Sequence, residues 1–312
     1  MRAPELSIVV PVYNAESCLR ELHTRLTATL QPLVRTYEIV LVEDGSTDGS
    51  WAAVLEVAKS DRAVRAYRLS RNFGQHAAIT AGLQHARGER AVLMDCDLED
   101  PPEEIPRLYA KALEGWDVVL ARRKARHHSL LRRLAARAYF TILGVFNRTR
   151  FDHEYGTFSV ITRKVITAYL EMKESARHYL LLLRWLGFPA ASIDYEHGNR
   201  FAGRSAYGIR RLLRHALDGV FFQTTVLLRW IVYLGFTIAL SGFGLAAWLV
   251  EQYMVRSALP GWTSLAVLIL VVGGVIIMSI GVTGLYIGKI FEEVKARPLY
   301  VVSETVVDGV VR

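Results

Sequence analysis

A chain of 312 residues, 52% hydrophobic and 22% charged, is too long for one small domain and too apolar for an intrinsically disordered polymer. Its formal net charge of +8 points to anionic partners, yet the basic residues crowd into 122–150 and 200–214, beside the most apolar part of the chain. Lipid headgroups and phosphorylated substrates fit that placement better than nucleic acid does, and with only Cys18 and Cys96 present no disulfide is expected.

The chain opens MRAPELSIVVPV, an apolar run too short and strand-like for a signal peptide. Over residues 1–120 short β-branched runs alternate with amphipathic segments: LSIVVPV, a helix over 17–30, YEIVLVED, a helix from Trp51, VRAYRLS, a helix from Gly74, RAVLMD, and a further strand over 116–121. Such alternation predicts an α/β fold, Rossmann-like, with a mostly parallel sheet and helices on both faces. Ligands then gather at the carboxyl ends of the strands. There the sequence places Asn14, then Glu43 and Asp44, then Arg71 and Asn72, then Asp95 and Asp97.

Asp95 and Asp97 stand two apart just as a strand ends, and two carboxylates at that spacing can share one divalent ion. Their hard oxygens suit Mg²⁺ or Mn²⁺, which would act as a Lewis acid toward a departing diphosphate. Both could instead cap the helix opening near Pro101 or Pro102, a role for which Asp100 is better placed. In VEDGSTDGS, Asp44 could accept a hydrogen bond from a base imide or a ribose hydroxyl. Gly74, Ala77, Ala78, Ala81 and Gly82 let the third helix pack closely on the sheet, while His76 and His85 have no metal-ligand spacing and read as structural.

Residues 129–148 form a basic amphipathic stretch, with Leu130, Leu134, Tyr139, Ile142 and Phe146 on one face, that could pack on the surface or lie in a membrane interface. In the Gly-rich loop HGNRFAGRSAYG, Arg200, Arg204 and Ser205 could clamp a diphosphate or an acceptor phosphate, or hold headgroups. A second amphipathic stretch, 207–223, leads into an uncharged run over 231–250, and a further such run covers 265–288. Each is long enough to cross the hydrocarbon core of a bilayer, ~30 Å at ~1.5 Å per residue. Arginines and lysines crowd outside this pair while the connecting segment carries only Arg256, so both flanks are expected on the cytoplasmic side of an integral membrane protein. Neither GxGxxG, nor a P-loop, nor GxSxG occurs, which removes the main support for dinucleotide oxidoreductases, P-loop enzymes and serine hydrolases.

Taken together, SIVVPVYNAE, LVEDGSTDGS, LSRNFGQHAAITAGL and DCDLEDPPE resemble the family 2 glycosyltransferases of GT-A fold. The GRSxYG loop, two spans and the tail GLYIGKIFEEVKARPLYVV resemble more narrowly the polyprenyl-phosphate glycosyltransferases related to dolichol-phosphate mannose synthase. The resemblance implies that Pro11, Tyr13, Asn14, Glu16 and Asp44 line a nucleoside pocket. It implies that Asp95 and Asp97 are the catalytic, metal-holding DxD pair, and that Arg200 contacts phosphate. The implied reaction is inverting transfer from a nucleotide sugar, with UDP-glucose as the candidate donor, to polyprenyl phosphate. Two departures stand out: Thr157 occupies the place of an aspartate, with Asp152 and Glu154 nearby, and Ala206 that of a lysine. A phosphate acceptor with a second pKa of about 6 is already ionised at neutral pH and can attack without a base.

The expected organisation is a cytoplasmic GT-A domain over 1–206, a juxtamembrane helix over 207–230 and a first span over 231–250. A short external loop over 251–264, a second span over 265–288 and a cytoplasmic tail over 289–312 complete it. Glycines 242, 244, 273 and 274 could support helix contacts in a homo-oligomer. Two other functions are weighed. A processive polysaccharide synthase would resemble QxxRW, but here Leu181 precedes Arg184 and Trp185; a non-catalytic partner of a sugar-lipid flippase would have no need of Asp97.

Overall fold

The computed structural model describes residues 3–123, 155–174, 177–196 and 261–312, with scattered positions between 231 and 251. Residues 3–123, 155–174, 177–196 and 297–312 belong to one compact unit, and the described positions from 231 to 296 to a second.

The first unit begins with four βα repeats. Strands β1 (Leu6–Val12), β2 (Tyr37–Glu43), β3 (Val64–Leu69) and β4 (Arg90–Leu93) alternate with helices α1 (Leu19–Leu30), α2 (Ser50–Ser60) and α3 (Gln75–His85). A short 3₁₀ turn, Pro102–Glu104, opens α4 (Ile105–Leu113); then come β5 (Val118–Arg123), β6 (Tyr155–Thr162), α5 (Arg163–Glu171), α6 (Tyr179–Leu186) and β7 (Ala190–Tyr195). All of β1 is buried, as a central strand covered on both faces must be. Period-two alternation splits its side chains. Leu6, Ile8 and Val10 join Leu22, Leu26, Val54 and Leu108 in one core, and Val9 joins Val40, Val42, Ile79, Leu83 and Tyr179 in the other. Helix α1 repeats Leu19, Leu22, Leu26 and Leu30 at helical spacing, so one stripe faces the sheet.

The nine strands run in the order β7-β5-β6-β4-β1-β2-β3-β8-β9. β3-β2-β1-β4 is wholly parallel, as expected, because a crossover helix links each of these strands to the next. Outside that half the expectation of a mostly parallel sheet holds only for β5 and β7, which run parallel. β6 runs antiparallel to both β4 and β5, and β8 (Val302–Val307) antiparallel to β3. The sheet is therefore mixed. The final hairpin turns at Asp308 and Gly309, both at positive φ, into the two-residue β9 (Val310–Val311).

In the second unit α7 (Trp262–Val294) runs 33 residues, roughly 50 Å at 1.5 Å per residue. Its segment Val272–Val294 is long and apolar enough to cross a bilayer, with mean hydropathy 1.7, and Ile277, Ile280, Ile287 and Val294 lie exposed along it. The expected span 265–288 lies inside this helix. Of the span expected at 231–250 every described position is helical, and its other positions lie outside the described residues; among the described residues α7 is the one helix meeting both criteria. The amphipathic stretches 129–148 and 207–223 also lie outside the described residues.

The close seating of α3 depends on a missing side chain. A Cβ on Gly82 would stand 2.3 Å from Val9 Cγ1 and 3.3 Å from Val42 Cγ2. Gly82→Ala is expected to cost about 1–3 kcal/mol by overpacking, read as a lower urea midpoint at unchanged slope; an unshifted midpoint would show that α3 can lift off β1 freely.

Candidate active site

The parallel half of the sheet delivers four loops to one edge. Asn14 turns the chain out of β1 at φ 48°, a left-handed conformation that asparagine tolerates. Its N–H donates to Ser46 Oγ at 3.1 Å, and its Oδ1 accepts the Thr47 N–H at 3.0 Å. Glu16 Oε2 accepts the Gly49 N–H at 3.0 Å, and the Ala15 N–H donates to Ser50 Oγ at 2.8 Å. These bonds lace the loop after β1 to the loop after β2. Tyr13 is 39% exposed at the same edge, whereas Pro11 is buried inside β1 beyond the last β1–β4 register pair, Val9 with Leu93. Its missing N–H therefore leaves no partner in β4 unsatisfied.

Asp44, buried at the end of β2, reaches to the third loop. Its Oδ1 accepts the Phe73 N–H at 2.7 Å, its Oδ2 the Gly74 N–H at 2.9 Å, and its carbonyl the Asn72 side-chain amide at 3.1 Å. Burial raises its pKa, with the two amides pulling the other way. The backbone crosses very closely here: a Cβ on Gly45, at φ +61°, would stand 2.4 Å from the Asn72 nitrogen. Arg71 lies over the Phe73 ring, 4.2 Å from its centroid, and presents a cation and a ring together on this loop.

Asp95 follows β4. Its Oδ1 accepts hydrogen bonds from Gln75 Nε2 at 2.8 Å and from Thr157 Oγ1 at 3.1 Å, so the start of α3 and the start of β6 both hold it. Burial and then the carboxylates of Asp100 and Asp97 push its carboxyl up to about 7, against the Thr157 hydroxyl and Arg123. Asp97 Oδ1 accepts the Glu99 N–H at 3.2 Å. Cys96, between the two acids, is no nucleophile, because burial and the nearby Asp95 raise its thiol to about 12.

Asp100 does not cap the following helix. The N-cap of the 3₁₀ turn is Pro101, with no side-chain cap bond, while the fully buried Asp100 carboxylate accepts from the Tyr195 hydroxyl and pairs with Arg123 Nη2 at 3.5 Å. Arg123 closes β5 and also donates to the Tyr195 oxygen at 3.1 Å. A buried carboxylate needs a cation, and β5 supplies one that a cap could not.

The structure thus brings Asn14, Glu16, Asp44, Asp95 and Asp97 to one edge of the sheet. Arg200, Arg204, Ser205, Ala206, Asp152 and Glu154 lie outside the described residues. Gln75 and Arg123 were not singled out in sequence; each is a long polar side chain at the first or last residue of an element meeting this edge, the one signal that could have found it. A concavity lined by Pro4, Thr36, Arg62 and Arg87 lies at the opposite, amino-terminal ends of the strands. Its buried Glu38 is already held by Ser7, Arg65 and Arg87.

Asp95 and Asp97 suit a divalent cation on two observations: both offer hard oxygens, and the ionisation of Asp95 is resisted by burial and by like charges that a cation would offset. Among the described residues no group of three or more His, Cys, Asp or Glu is placed to hold a metal. An ion there would complete its shell with substrate phosphates and water, as Mg²⁺ commonly does.

Residues 7–170 match the family described as Glycosyl transferase family 2. An uncharacterized glycosyltransferase of Synechocystis sp. is 37% identical over 96% of this chain and 95% of its own. The undecaprenyl-phosphate 4-deoxy-4-formamido-L-arabinose transferase of Salmonella paratyphi A is 36% identical over 97% of this chain and 94% of its own. Among solved structures, glucosyl-3-phosphoglycerate synthase from Mycobacterium tuberculosis, in complex with Mn²⁺, uridine diphosphate and phosphoglyceric acid, superposes with a TM-score of 0.50. It is 18% identical and covers 70% of this chain and 76% of its own, a likeness of fold.

The crowding of carboxylates is testable through stability. With chelator present, Asp95 keeps its proton in the folded state up to about pH 7 but only to about pH 4 when unfolded, so its contribution to stability is full below pH 4 and lost as pH rises to 7. Asp95→Asn, which retains an oxygen for Gln75 and Thr157, should exceed the wild type in stability by on the order of 1 kcal/mol at pH 7.5 and by much less at pH 5. Mn²⁺ should raise the melting temperature of the wild type more than that of the variant. A variant less stable than wild type at pH 7.5 contradicts the assignment.

Proposed function

Given that this chain belongs to glycosyl transferase family 2, we propose that it moves a sugar from a nucleotide donor to polyprenyl phosphate at the cytoplasmic face of a membrane, inverting the anomeric centre. One observation carries the reading. Asp95, gripped by Gln75 and Thr157, and Asp97 stand at the strand-end edge of a chain that also contains an exposed apolar helix of spanning length. A relative 36% identical over nearly the whole chain acts, by its name, on undecaprenyl phosphate, which supports the acceptor class. The donor is a UDP-hexose, with UDP-glucose as first candidate, and the chain crosses the membrane twice, at 231–250 and within α7, with both termini cytoplasmic.

The chain's own groups divide the work. Asn14, Glu16, Tyr13 and Asp44 border the nucleoside, and Pro11 supports them from within β1; Asp44, whose oxygens already fix the Phe73 and Gly74 amides, keeps acceptor capacity toward a base or ribose. Arg71 and Phe73 offer a face for stacking. Asp95 and Asp97 hold Mg²⁺ or Mn²⁺, which when bound supplies charge neutralisation for the diphosphate leaving group. Arg200, Arg204 and Ser205 receive phosphate. No carboxylate base is needed at Thr157, because the acceptor phosphate arrives ionised; the Thr157 hydroxyl instead holds Asp95 in place.

Membranes containing the protein, supplied with labelled nucleotide sugars, polyprenyl phosphate and Mg²⁺ or Mn²⁺, are expected to yield label extractable with lipid. No lipid-soluble label with any donor would remove the proposal. Asp97→Asn is expected to lower transfer by about 10²-fold or more. Thr157→Ala should lower it by less than about tenfold, since only the aim of Asp95 is lost. A Thr157 variant as inactive as the Asp97 variant would make the hydroxyl a chemical participant.

A further inference from the structure

Behind the β2 loop lies a chain of charges that the reaction does not use. Glu43, the residue before Asp44, is fully buried; its Oε1 accepts the Ser46 N–H, and its Oε2 lies 3.3 Å from Arg68 Nε. A carboxylate in that position is tolerable only with a well-held cation. Arg68 is held in turn by two groups. Its guanidinium lies over the Trp51 ring, 5.5 Å from the centroid, and its Nη1 donates to Glu304 Oε1 at 2.6 Å. Glu304 Oε2 accepts the Trp51 indole N–H at 3.3 Å, closing the triangle.

Glu304 is in β8, the strand that follows the apolar helix α7, and stands opposite Arg68 in the β3–β8 register. Further bonds fix this register: the Ser70 N–H donates to the Val301 carbonyl at 2.8 Å, and Ser303 Oγ to the Arg68 carbonyl at 3.2 Å. Followed inward, Glu304 fixes Arg68, Arg68 neutralises Glu43, and Glu43 fixes the Ser46 amide. Ser46 Oγ accepts the N–H of Asn14, at the edge assigned to the nucleoside.

We infer that Glu304, contributed by the C-terminal strand, is a positioning residue for the nucleotide pocket, so that donor affinity depends on this strand being seated on β3. The inference rests on the nucleoside assignment made above. Loss of Glu304 leaves Arg68 without one of its anchors and weakens its hold on Glu43, which frees the 43–46 turn while Asp95 and Asp97 stay untouched. Donor binding falls, and turnover with saturating donor and the KM for the lipid acceptor stay near those of the wild type.

The test is nucleotide affinity by calorimetry on the full chain in detergent, with UDP, GDP, CDP and TDP in the presence of Mn²⁺, alongside steady-state transfer. Glu304→Ala is expected to weaken binding about tenfold, and Glu304→Gln, which keeps an acceptor oxygen for Arg68, about threefold or less. Tyr300→Phe removes the tail's bond to Gln84, 2.5 Å long and apart from this chain of charges, and should leave affinity within about twofold. A Glu304→Ala protein that melts like the wild type and binds equally well overturns the inference, as does an equal loss in Tyr300→Phe. If the alanine variant does not fold, Glu304→Gln against Tyr300→Phe decides in the same way. A wild type that binds none of the four nucleotides removes the nucleoside assignment and this inference with it; a wild type that binds while Glu304→Ala matches it removes the inference alone.

Discussion

Peptide groups that leave the carboxyl edge of a parallel sheet lose their ladder partners and must find others. Here the side chains that satisfy them are the polar residues of the candidate site. Asp44 takes the amides of Phe73 and Gly74, Asn14 that of Thr47, Glu16 that of Gly49 and Glu43 that of Ser46. Three loops that would otherwise be separate become one hydrogen-bonded rim, and the Gln75 amide ties the fourth to it through Asp95. A residue of this rim cannot be altered for its chemistry alone, because it also closes the edge of the fold. The same double use explains why so many carboxylates are tolerated together: each has a donor or a cation built against it.

The βαβ half of the molecule was legible because each signal is local. Apolar strands of about seven residues, leucines at helical spacing in α1 and small residues along α3 depend on near neighbours in sequence, and β1 to β4 with α1 to α3 lie where periodicity puts them. The polar residues following each strand were legible for the same reason, since the end of a strand is visible without knowing the topology. What could not be read was set at long range. β6 lies between β4 and β5, and an apolar run carries no record of its direction. Asp100 looked like a cap because Pro101 follows it, and only the arrival of Arg123 and Tyr195 from β5 and β7 shows that its charge is needed in the interior. Gln75 was likewise unremarkable as a residue, and Thr157 stood out only for replacing an aspartate; the two meet at Asp95 only after folding.

Electrostatics separates Asp95 from the acids that have an arginine. Glu38, Glu43 and Asp100 are buried and each has an arginine, the condition under which a buried carboxylate remains compatible with a folded protein. Asp95 sits among like charges with hydroxyl and amide donors in place of a direct ion pair, and its proton affinity is raised accordingly. The cation site proposed for this pair calls for that arrangement: ligands aimed in advance and a charge left for an incoming ion to offset.

The last residues of the chain finish the sheet that the first residues begin. β3 is flanked on one side by β2 and on the other by β8, which lies beyond α7 in sequence. During synthesis the outer hydrogen-bonding groups of β3 therefore stay unmatched until the apolar helix has left the ribosome, a long interval for a bare edge that other strands could invade. The order of the elements ties maturation of the globular half to delivery of the greasy helix, so a nascent chain stalled before α7 would expose the edge of β3 and lack Glu304 behind the rim proposed for the nucleotide.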